Sequence, residues 1–351
     1  MDSTIGKLRL HHQRISRSPF HDAGAAAAWM GALQGQDYAG TKWALGLRVP
    51  GGTEADIETA IADRSIRRSW VLRGTLHYVA AADLHWMVGL VAPRLIGGNA
   101  RRYRELQLDA DTLARSSDLI AEALADGRPQ TRTELLAMLE ARGISTTGGR
   151  GYHMLQRAGL ERRVYQGAVE RNVTTFVALE PGSTLPKEQA LAELARRYFI
   201  SHGPATLDDF AHWSGLPVGE ARAGLDGAKS ALIKELIGGR AYWLSPEAAE
   251  PPERAVYLLP GFDEFVLGYK DRSAVLDPAF ADAICPGGNG MFFPTIVCSG
   301  RIIGTWKRTV KKKAVEIALS PFYPLTRDAR EQIVEAAEGY GRFLGLPAVV
   351  I

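Results

Sequence analysis

Cysteine is almost absent from this chain, which has only Cys285 and Cys298 among its 351 residues. Two cysteines cannot form a disulfide framework, and no cysteine or histidine spacing matches a zinc site. So few cysteines are typical of a reducing compartment. We therefore expect a cytoplasmic protein that holds no structural metal.

Net charge and long apolar runs are also lacking. The formal charge is only +3 at pH 7, so the distribution of the basic residues carries more information than their sum. The apolar stretch Ala23–Leu33 is shorter than the roughly 20 residues that a membrane-spanning helix requires. No apolar signal core follows the basic residues near the N-terminus. We expect no membrane partner.

What the chain does contain is a repeated pattern. In the first copy a helix over Thr112–Ala125 leads to a helix that begins with Thr133, whose hydroxyl is suited to cap it. A Gly143 stop and a third helix around Gly151–Ala158 follow. Two β-type runs, Glu161–Tyr165 and Thr174–Leu179, end the copy. Three helices followed by a two-stranded wing are the order of a winged helix.

The second copy has the same order. Its predicted elements are a helix over Lys187–Ser201, a helix from Thr206, a helix from Pro217, and strands over Ala231–Ile237 and Ala241–Leu244. Gly238 and Gly239 stand between the two strands, where a tight hairpin needs residues that accept positive φ. Two such copies in succession indicate tandem winged helices.

The two ends of the chain are less regular. Helices over Asp22–Gln34 and Glu54–Asp63, with strands over Ile66–Leu72 and Thr75–Val79, are compatible with a divergent third winged helix, and a helical connector over Ala82–Leu106 follows it. Beyond a linker at Pro246–Pro252, the pattern predicts strands over Ala255–Leu259, Phe265–Leu267, Phe292–Val297, Arg301–Lys307 and Lys313–Leu319, then a helix over Thr326–Leu344. We expect an α+β fold with units at 1–110, 111–184, 185–250 and 251–351.

A basic run is the first candidate for a DNA interface. The segment Arg301–Lys313 holds six basic residues and no acidic one. On a strand, Lys307, Lys311 and Lys313 would share one face, and Arg308 would lie on the other. Such a stripe can contact phosphates and release counterions. The alternative is an edge strand whose lysines prevent aggregation.

A second basic group surrounds the third helix of the first copy. Arg150, His153 and Arg157 lie on it, and Arg162 and Arg163 follow. In a winged helix this element usually enters the DNA groove, so Arg150 and Arg157 are candidate DNA contacts. A solvated helix face explains the same residues equally well.

Two glutamines separated by one residue form the candidate catalytic motif. Gln34 and Gln36 follow a strongly helical run and flank Gly35. Inside a helix they would point apart, but at a helix end Gly35 gives the backbone enough freedom for them to converge. The alternative is that their amides bind unpaired carbonyl groups at the helix terminus.

Four blocks of the chain carry a family resemblance. They are Gln34–Gln36, Trp70–His77, Leu258–Arg272 and Gly304–Arg308. In this order they resemble the winged-helix DNA glycosylase family of AlkZ and its relative AlkX. The resemblance implies three tandem winged helices and a C-terminal β-rich part, bent into a C that embraces duplex DNA and that works as a monomer.

The resemblance also implies a reaction. Members of the family hydrolyse the N-glycosidic bond of N7-alkylated purines, including some interstrand crosslinks, and need no cofactor. The catalytic pair of the family falls on Gln34 and Gln36. One departure is Gly35, because the family usually has a bulkier apolar residue there. Asp37 would be a stronger base than either amide.

The remaining blocks leave alternatives open. Arg73 and His77 are expected on one face of a strand, where they either flank the DNA backbone or serve a hydrogen-bonded structural role. Phe262 and Trp306 are expected in the core, and Asp263, Asp271 and Arg272 in internal ion pairs or turn contacts. The main alternative function is a non-catalytic winged-helix DNA-binding regulator. A scaffold that binds protein is a third possibility, which the basic run disfavours.

Overall fold

A computed structural model of the protein describes residues 4–170, 173–249 and 255–351. Helix α1 (Thr4–His12) precedes the first winged helix. The elements of this first unit are α2 (Ala23–Met30), β1 (Leu33–Gln34), α3 (Tyr38–Leu47), α4 (Glu54–Ala62), β2 (Ile66–Trp70) and β3 (Leu76–Ala80). The unit thus has three helices and a two-stranded wing, and α3 is a helix that the sequence pattern does not predict.

A connector and the second winged helix follow. Their elements are α5 (Leu84–Gly98), α6 (Ala100–Glu105), α7 (Ala110–Ala123), β4 (Gln130–Thr131), α8 (Arg132–Ala141), α9 (Arg150–Leu160), β5 (Val164–Glu170) and β6 (Val173–Ala178). The expected cap at Thr133 is wrong by two residues. Thr131 caps α8, because its hydroxyl accepts from the amide of Glu134 while the Glu134 carboxylate binds back to the Thr131 amide.

The third winged helix agrees closely with its sequence pattern. Its elements are α10 (Lys187–His202), α11 (Leu207–Ser214), α12 (Val218–Ala228), β7 (Ile233–Ile237) and β8 (Arg240–Leu244). Thr206 and Asp209 form a capping box at the start of α11. Gly238 and Gly239 both have positive φ, at 58° and 77°, as a tight turn between β7 and β8 requires.

The wings of the first two units merge into one sheet. Its strand order is β1-β3-β2-β5-β6-β4, and the two wings meet where Arg68 of β2 pairs with Gln166 of β5. Because β1 pairs with β3, the Gln34 segment is one edge of this six-stranded sheet. The first two winged helices therefore share one continuous sheet, and Gln34 lies at its edge.

The C-terminal part is rich in strands, as expected. Its elements are β9 (Val256–Leu259), α13 (Glu264–Leu267), α14 (Ala281–Ile284), β10 (Thr295–Cys298), β11 (Arg301–Val310), β12 (Val315–Pro321), α15 (Arg327–Leu344) and β13 (Ala348–Val350). The sheet order is β13-β12-β11-β10-β9. The strand expected at Phe265–Leu267 is wrong: Asp263 accepts from the amide of Phe265 and starts a helical turn there. The expected linker lies partly outside the described residues.

A shared core fixes the C-terminal part against the first unit. Trp43 of α3 packs against Tyr340 and Phe343 of α15 at ring distances of 5.0 and 5.1 Å. Arg48, just after α3, forms an ion pair with Asp263 at 3.0 Å, and both side chains are fully buried. These contacts hold Gln34 close to α13. No helix in the described part of the chain has the length and apolar character to cross a membrane.

Candidate active site and DNA interface

Gln34 lies on a strand, not at a helix end. Helix α2 stops at Met30 because Gly31 adopts φ 75°, and the chain then extends as β1. Gln34 pairs with His77 of β3 in antiparallel register. The expectation of a helix over Asp22–Gln34 is therefore wrong in its last turn. The alternative, that the glutamine amides bind carbonyl groups at the end of this helix, is wrong for the same reason.

The main chain and side chain of Gln34 are both held by hydrogen bonds. Its carbonyl accepts from the Thr41 hydroxyl at 2.7 Å, and its amide donates to the Glu264 carboxylate at 2.9 Å. Its side-chain oxygen accepts from the Thr75 hydroxyl at 3.2 Å. The residue is only 8% exposed. Gln34 is therefore fixed in place before any ligand arrives.

Gly35 and Gln36 follow, and the backbone of Gly35 packs closely against β3 and Arg68. The Gly35 amide donates to Leu76 at 2.7 Å, and its carbonyl accepts from Arg68 at 2.9 Å. A Cβ on Gly35 would stand 3.2 Å from the Leu76 carbonyl oxygen, which leaves little room for a side chain. Gln36 is exposed in the bend that follows. Asp37 faces away toward Arg308, whose guanidinium is 3.4 Å from its carboxylate.

A pocket of about 900 Å³ opens beside Gln34. Its polar walls include Arg73, His212, Lys270, Asp271 and Arg272, and its apolar walls include Phe262, Leu267, Leu276, Ile284 and Phe292. Asp271 is engaged by Arg240 and Asp282 accepts from the Gly287 amide, so the three cations outweigh the two carboxylates of the lining. The pocket thus combines a glutamine amide, positive charge and aromatic surface.

Seven residues of the family blocks line this pocket, and Phe262 and Arg73 are two of them. Phe262, expected in the core, lies in the pocket wall with φ 61°, a strained value for a residue with a Cβ. Arg73 stands in a turn between β2 and β3, also at positive φ, and donates to the Trp213 carbonyl. Burial lowers the pKa of Arg73, but an arginine remains charged at neutral pH.

His77 does not share the position of Arg73. Its side chain is fully buried, and Nδ1 lies 3.0 Å from the Thr75 carbonyl oxygen. Burial, reinforced by the charge of Arg73, lowers the pKa of His77 to about 4. A neutral, enclosed ring has no surface to offer DNA, so the expectation of a DNA contact is wrong. Its hydrogen-bonded structural role, the alternative, is the one observed.

The structural expectations hold for Trp306 and Asp263, and only in part for Asp271 and Arg272. Trp306 is 3% exposed in the core, and its indole donates to Leu259. Asp263 forms the expected buried ion pair with Arg48, whereas the pair between Asp271 and Arg240 is exposed, and Asp271 and Arg272 line the pocket. Arg272 donates to the Val266 carbonyl and covers the Phe292 ring at 4.9 Å.

The cations on α9 are engaged by the protein. Arg150 donates to the carbonyls of Ser145 and Gln107 at 2.8 and 2.9 Å. Arg157 forms an ion pair with Glu161 at 2.6 Å. Both side chains are half-buried, so α9 presents less free positive charge than its sequence suggests.

The basic run forms a hairpin and not one long strand. Strand β11 ends at Val310, and the Lys311 amide donates to Ala314 at 2.9 Å to close the turn into β12. The expected alternation of faces therefore fails beyond Val310. Lys307 and Lys313 are exposed, and Lys311 pairs with Glu316. The hairpin thus presents its lysines at an exposed tip.

Three winged helices define a class of protein that binds DNA, and comparisons identify the family. A model of the AlkZ-like DNA glycosylases matches residues 27–343. An interstrand DNA cross-link repair glycosylase of Streptomyces sahachiroi is 24% identical over 322 residues, which cover 83% of this chain and 82% of that protein. The solved structure of the S. sahachiroi DNA glycosylase AlkZ superposes with a TM-score of 0.82 at 21% identity and covers 99% of each chain.

The chain belongs to the AlkZ-like DNA glycosylase family. It is therefore a DNA glycosylase, a hydrolase that acts on N-glycosyl bonds of DNA, and not the non-catalytic regulator that was the alternative. The mixed fold with three winged helices and a β-rich C-terminal part is confirmed by the match to the AlkZ structure.

Sequence reasoning missed three residues that hold Gln34 in place. Thr75 lies inside one family block, but no motif in the sequence points to its role. Thr41 lies on α3, the helix that the pattern does not predict. Glu264 is a single acid among the apolar residues of α13. An acid in such a run is rarely buried unless it has partners, and that signal could have identified it.

Proposed function

We propose that this enzyme hydrolyses the N-glycosidic bond of N7-alkylated purines in double-stranded DNA, with Gln34 and Gln36 as its catalytic pair. The observation that carries the proposal is the Gln34 amide in the pocket wall, with its oxygen bound by Thr75. Gln36 stands two residues further along, exposed to an incoming substrate. No cofactor takes part.

The chemistry suits neutral amides. Alkylation at N7 makes the purine cationic, so the C1′–N9 bond breaks with its electron pair moving to the base, which leaves neutral without protonation. The deoxyribose then carries the positive charge, shared between C1′ and the ring oxygen. An amide oxygen can orient water toward C1′ and stabilise that charge. The water adds to C1′, loses its proton to solvent, and leaves an abasic site.

The pocket walls favour a particular placement of the DNA. A cationic base would be repelled by Arg73, Lys270 and Arg272, whereas the phosphates that flank it would be attracted. We therefore propose that these cations bind the backbone near the lesion. The aromatic walls formed by Phe262 and Phe292 would cover the apolar part of an adduct.

We propose that interstrand crosslinks are among the substrates. The relative in S. sahachiroi is named for crosslink repair, and a pocket of about 900 Å³ is far larger than a methyl group requires. A duplex with a guanine–guanine crosslink at N7 tests this directly, because unhooking converts it to separable strands on a denaturing gel.

The hairpin from β11 to β12 is the proposed phosphate contact outside the pocket. Lys307, Lys311, Lys313 and Arg308 supply its positive charge. Arg150 and Arg157 are a second, weaker candidate, since both already bind protein groups, whereas the hairpin also has the exposed Lys307 and Lys313. We propose that a monomer acts on nucleoid DNA in the cytoplasm.

Base release from a duplex with one 7-methylguanine tests the reaction. The wild-type protein should release the free base, and Gln36→Ala should abolish release while its Kd for the duplex stays unchanged. Gln189→Ala is the matched control, because Gln189 is an exposed glutamine on α10 outside the pocket wall. Failure to release base from any alkylated or crosslinked duplex would contradict the proposal.

A further inference from the structure

Glu264 is a carboxylate buried directly behind Gln34. It is the first residue of α13, and its side chain is 1% exposed. Oε1 accepts from the amide of Gln34 at 2.9 Å, and Oε2 accepts from the indole of Trp213 at 2.9 Å. One side chain of the C-terminal part therefore binds both the catalytic strand of the first winged helix and α11 of the third.

The surroundings keep this carboxylate charged. His202 Nε2 lies 3.6 Å from Oε2. Burial raises the pKa of Glu264, but the neighbouring His202 ring and the positive charge of Arg73 outweigh that effect and hold the pKa below its usual value. Burial lowers the pKa of His202, so that ring is neutral near pH 7. Arg73 is the permanent cation that faces the carboxylate.

Burying a carboxylate costs free energy, because a charge that is removed from water needs compensating partners. A buried carboxylate that only joined two segments would therefore be unfavourable compared with an apolar contact. Here one carboxylate oxygen accepts a hydrogen bond from the main-chain amide of Gln34, and the side chain of Gln34 lines the pocket. A second effect accompanies this hydrogen bond. In the proposed reaction the departing base leaves positive charge on the deoxyribose beside Gln34, and the carboxylate lies on the other side of that residue.

We propose that Glu264 is a positioning residue for base excision, which fixes the Gln34 strand and places a negative charge behind it. This inference rests on the proposed function. Glu264 acts by holding Gln34 and through the electrostatic field of its negative charge, since its side chain is buried and does not touch the DNA. Its removal should lower the rate of bond cleavage and leave DNA affinity unchanged.

Glu264→Gln is the first test, because it keeps the size and one acceptor but removes the charge. Single-turnover release of 7-methylguanine should fall about 10- to 100-fold, which corresponds to about 1.4–2.8 kcal/mol. The Kd for the duplex should remain within about twofold. Hydrogen exchange at the Gln34 amide should accelerate, since its acceptor is weakened. Glu264→Asp, which keeps the charge at shorter reach, should recover part of the rate.

Asp83→Asn is the matched control. Asp83 is also a buried carboxylate that accepts from a tryptophan indole, Trp86 at 3.0 Å, and pairs with an arginine, Arg197. It does not contact the Gln34 strand. The control should lower Tm and leave the excision rate unchanged at temperatures where the protein is folded, as monitored by circular dichroism.

The outcomes separate the inference from the proposed function. If the wild-type protein releases no base, the proposed function fails and the inference fails with it. If the wild type is active and Glu264→Gln matches its rate, or loses rate only as far as Asp83→Asn does at equal Tm, the inference alone is overturned. Should Glu264→Gln not fold, Glu264→Asp decides by the same comparison.

Discussion

The hydroxyl of Thr75 offers a sharp test of how the site is organised. It donates to the side-chain oxygen of Gln34 at 3.2 Å, with the Leu72 carbonyl at the same distance as a competing acceptor. Thr75→Val removes this donor and preserves the shape of the side chain. The Gln34 amide then loses the contact that orients it, while its main-chain bonds to Thr41 and Glu264 remain.

The expected loss of rate follows from the free energy of one neutral hydrogen bond. Such a bond contributes about 0.5–1.5 kcal/mol, so the single-turnover rate of 7-methylguanine release should fall roughly 2- to 13-fold. The assay mixes excess enzyme with labelled duplex and follows the free base with time. The Kd for the duplex should not change, because Thr75 is half-buried behind Gln34.

Thr59→Val provides the control for this substitution. The Thr59 hydroxyl donates to the Ala55 carbonyl on the exposed face of α4, away from the pocket. The same chemical change there should leave the rate as it is. A Thr75→Val enzyme with the wild-type rate would refute the argument that Thr75 orients the Gln34 amide for the reaction.

Three further predictions concern DNA affinity and stability. Lys311→Ala with Lys313→Ala should lower the slope of log K against log salt by about two, in fluorescence anisotropy across 50–200 mM salt, and an unchanged slope would contradict phosphate contact at the hairpin. Asp263→Asn should cost about 3–5 kcal/mol in urea unfolding, because Arg48 would be left charged and buried; a loss below 1 kcal/mol would contradict this. His77, with its pKa lowered to about 4, binds its proton in the unfolded state from about pH 6.5 downward, so stability should fall by up to about 3 kcal/mol between pH 6.5 and 4. His77→Gln should flatten that fall.

Local chemistry made much of the fold predictable. The turn at Gly238 and Gly239 and the cap at Thr206 are decided by residues within a few positions of one another. The helix order of the second and third units follows from such signals. One error arose where a distant partner outweighs local preference, because β1 exists through its pairing with β3. Another was a local signal that the strand pattern hid, because Asp263 caps α13 where a strand was expected.

The site was only partly predictable for the same reason. The Gln34–Gln36 motif is a run of neighbours and is visible in the chain. Its supports are not, since Glu264 reaches Gln34 across 230 residues and Asp37 reaches Arg308 across 271. The spacing of Arg73 and His77 indicated one shared face, yet the turn at Arg73 brings the arginine to the pocket and encloses the histidine.

The sequence by itself determined that this is a chain of tandem winged helices with a basic run in its C-terminal part, because periodicity, caps and turn residues act over short distances. It also determined the family, through blocks that keep their order. The tertiary structure decided which polar groups meet. It made Gln34 a fixed amide in a cationic pocket, buried His77, and placed Glu264 behind the Gln34 strand. Burial and charge pairing depend on what packs against each residue, and that is settled only when distant segments come together.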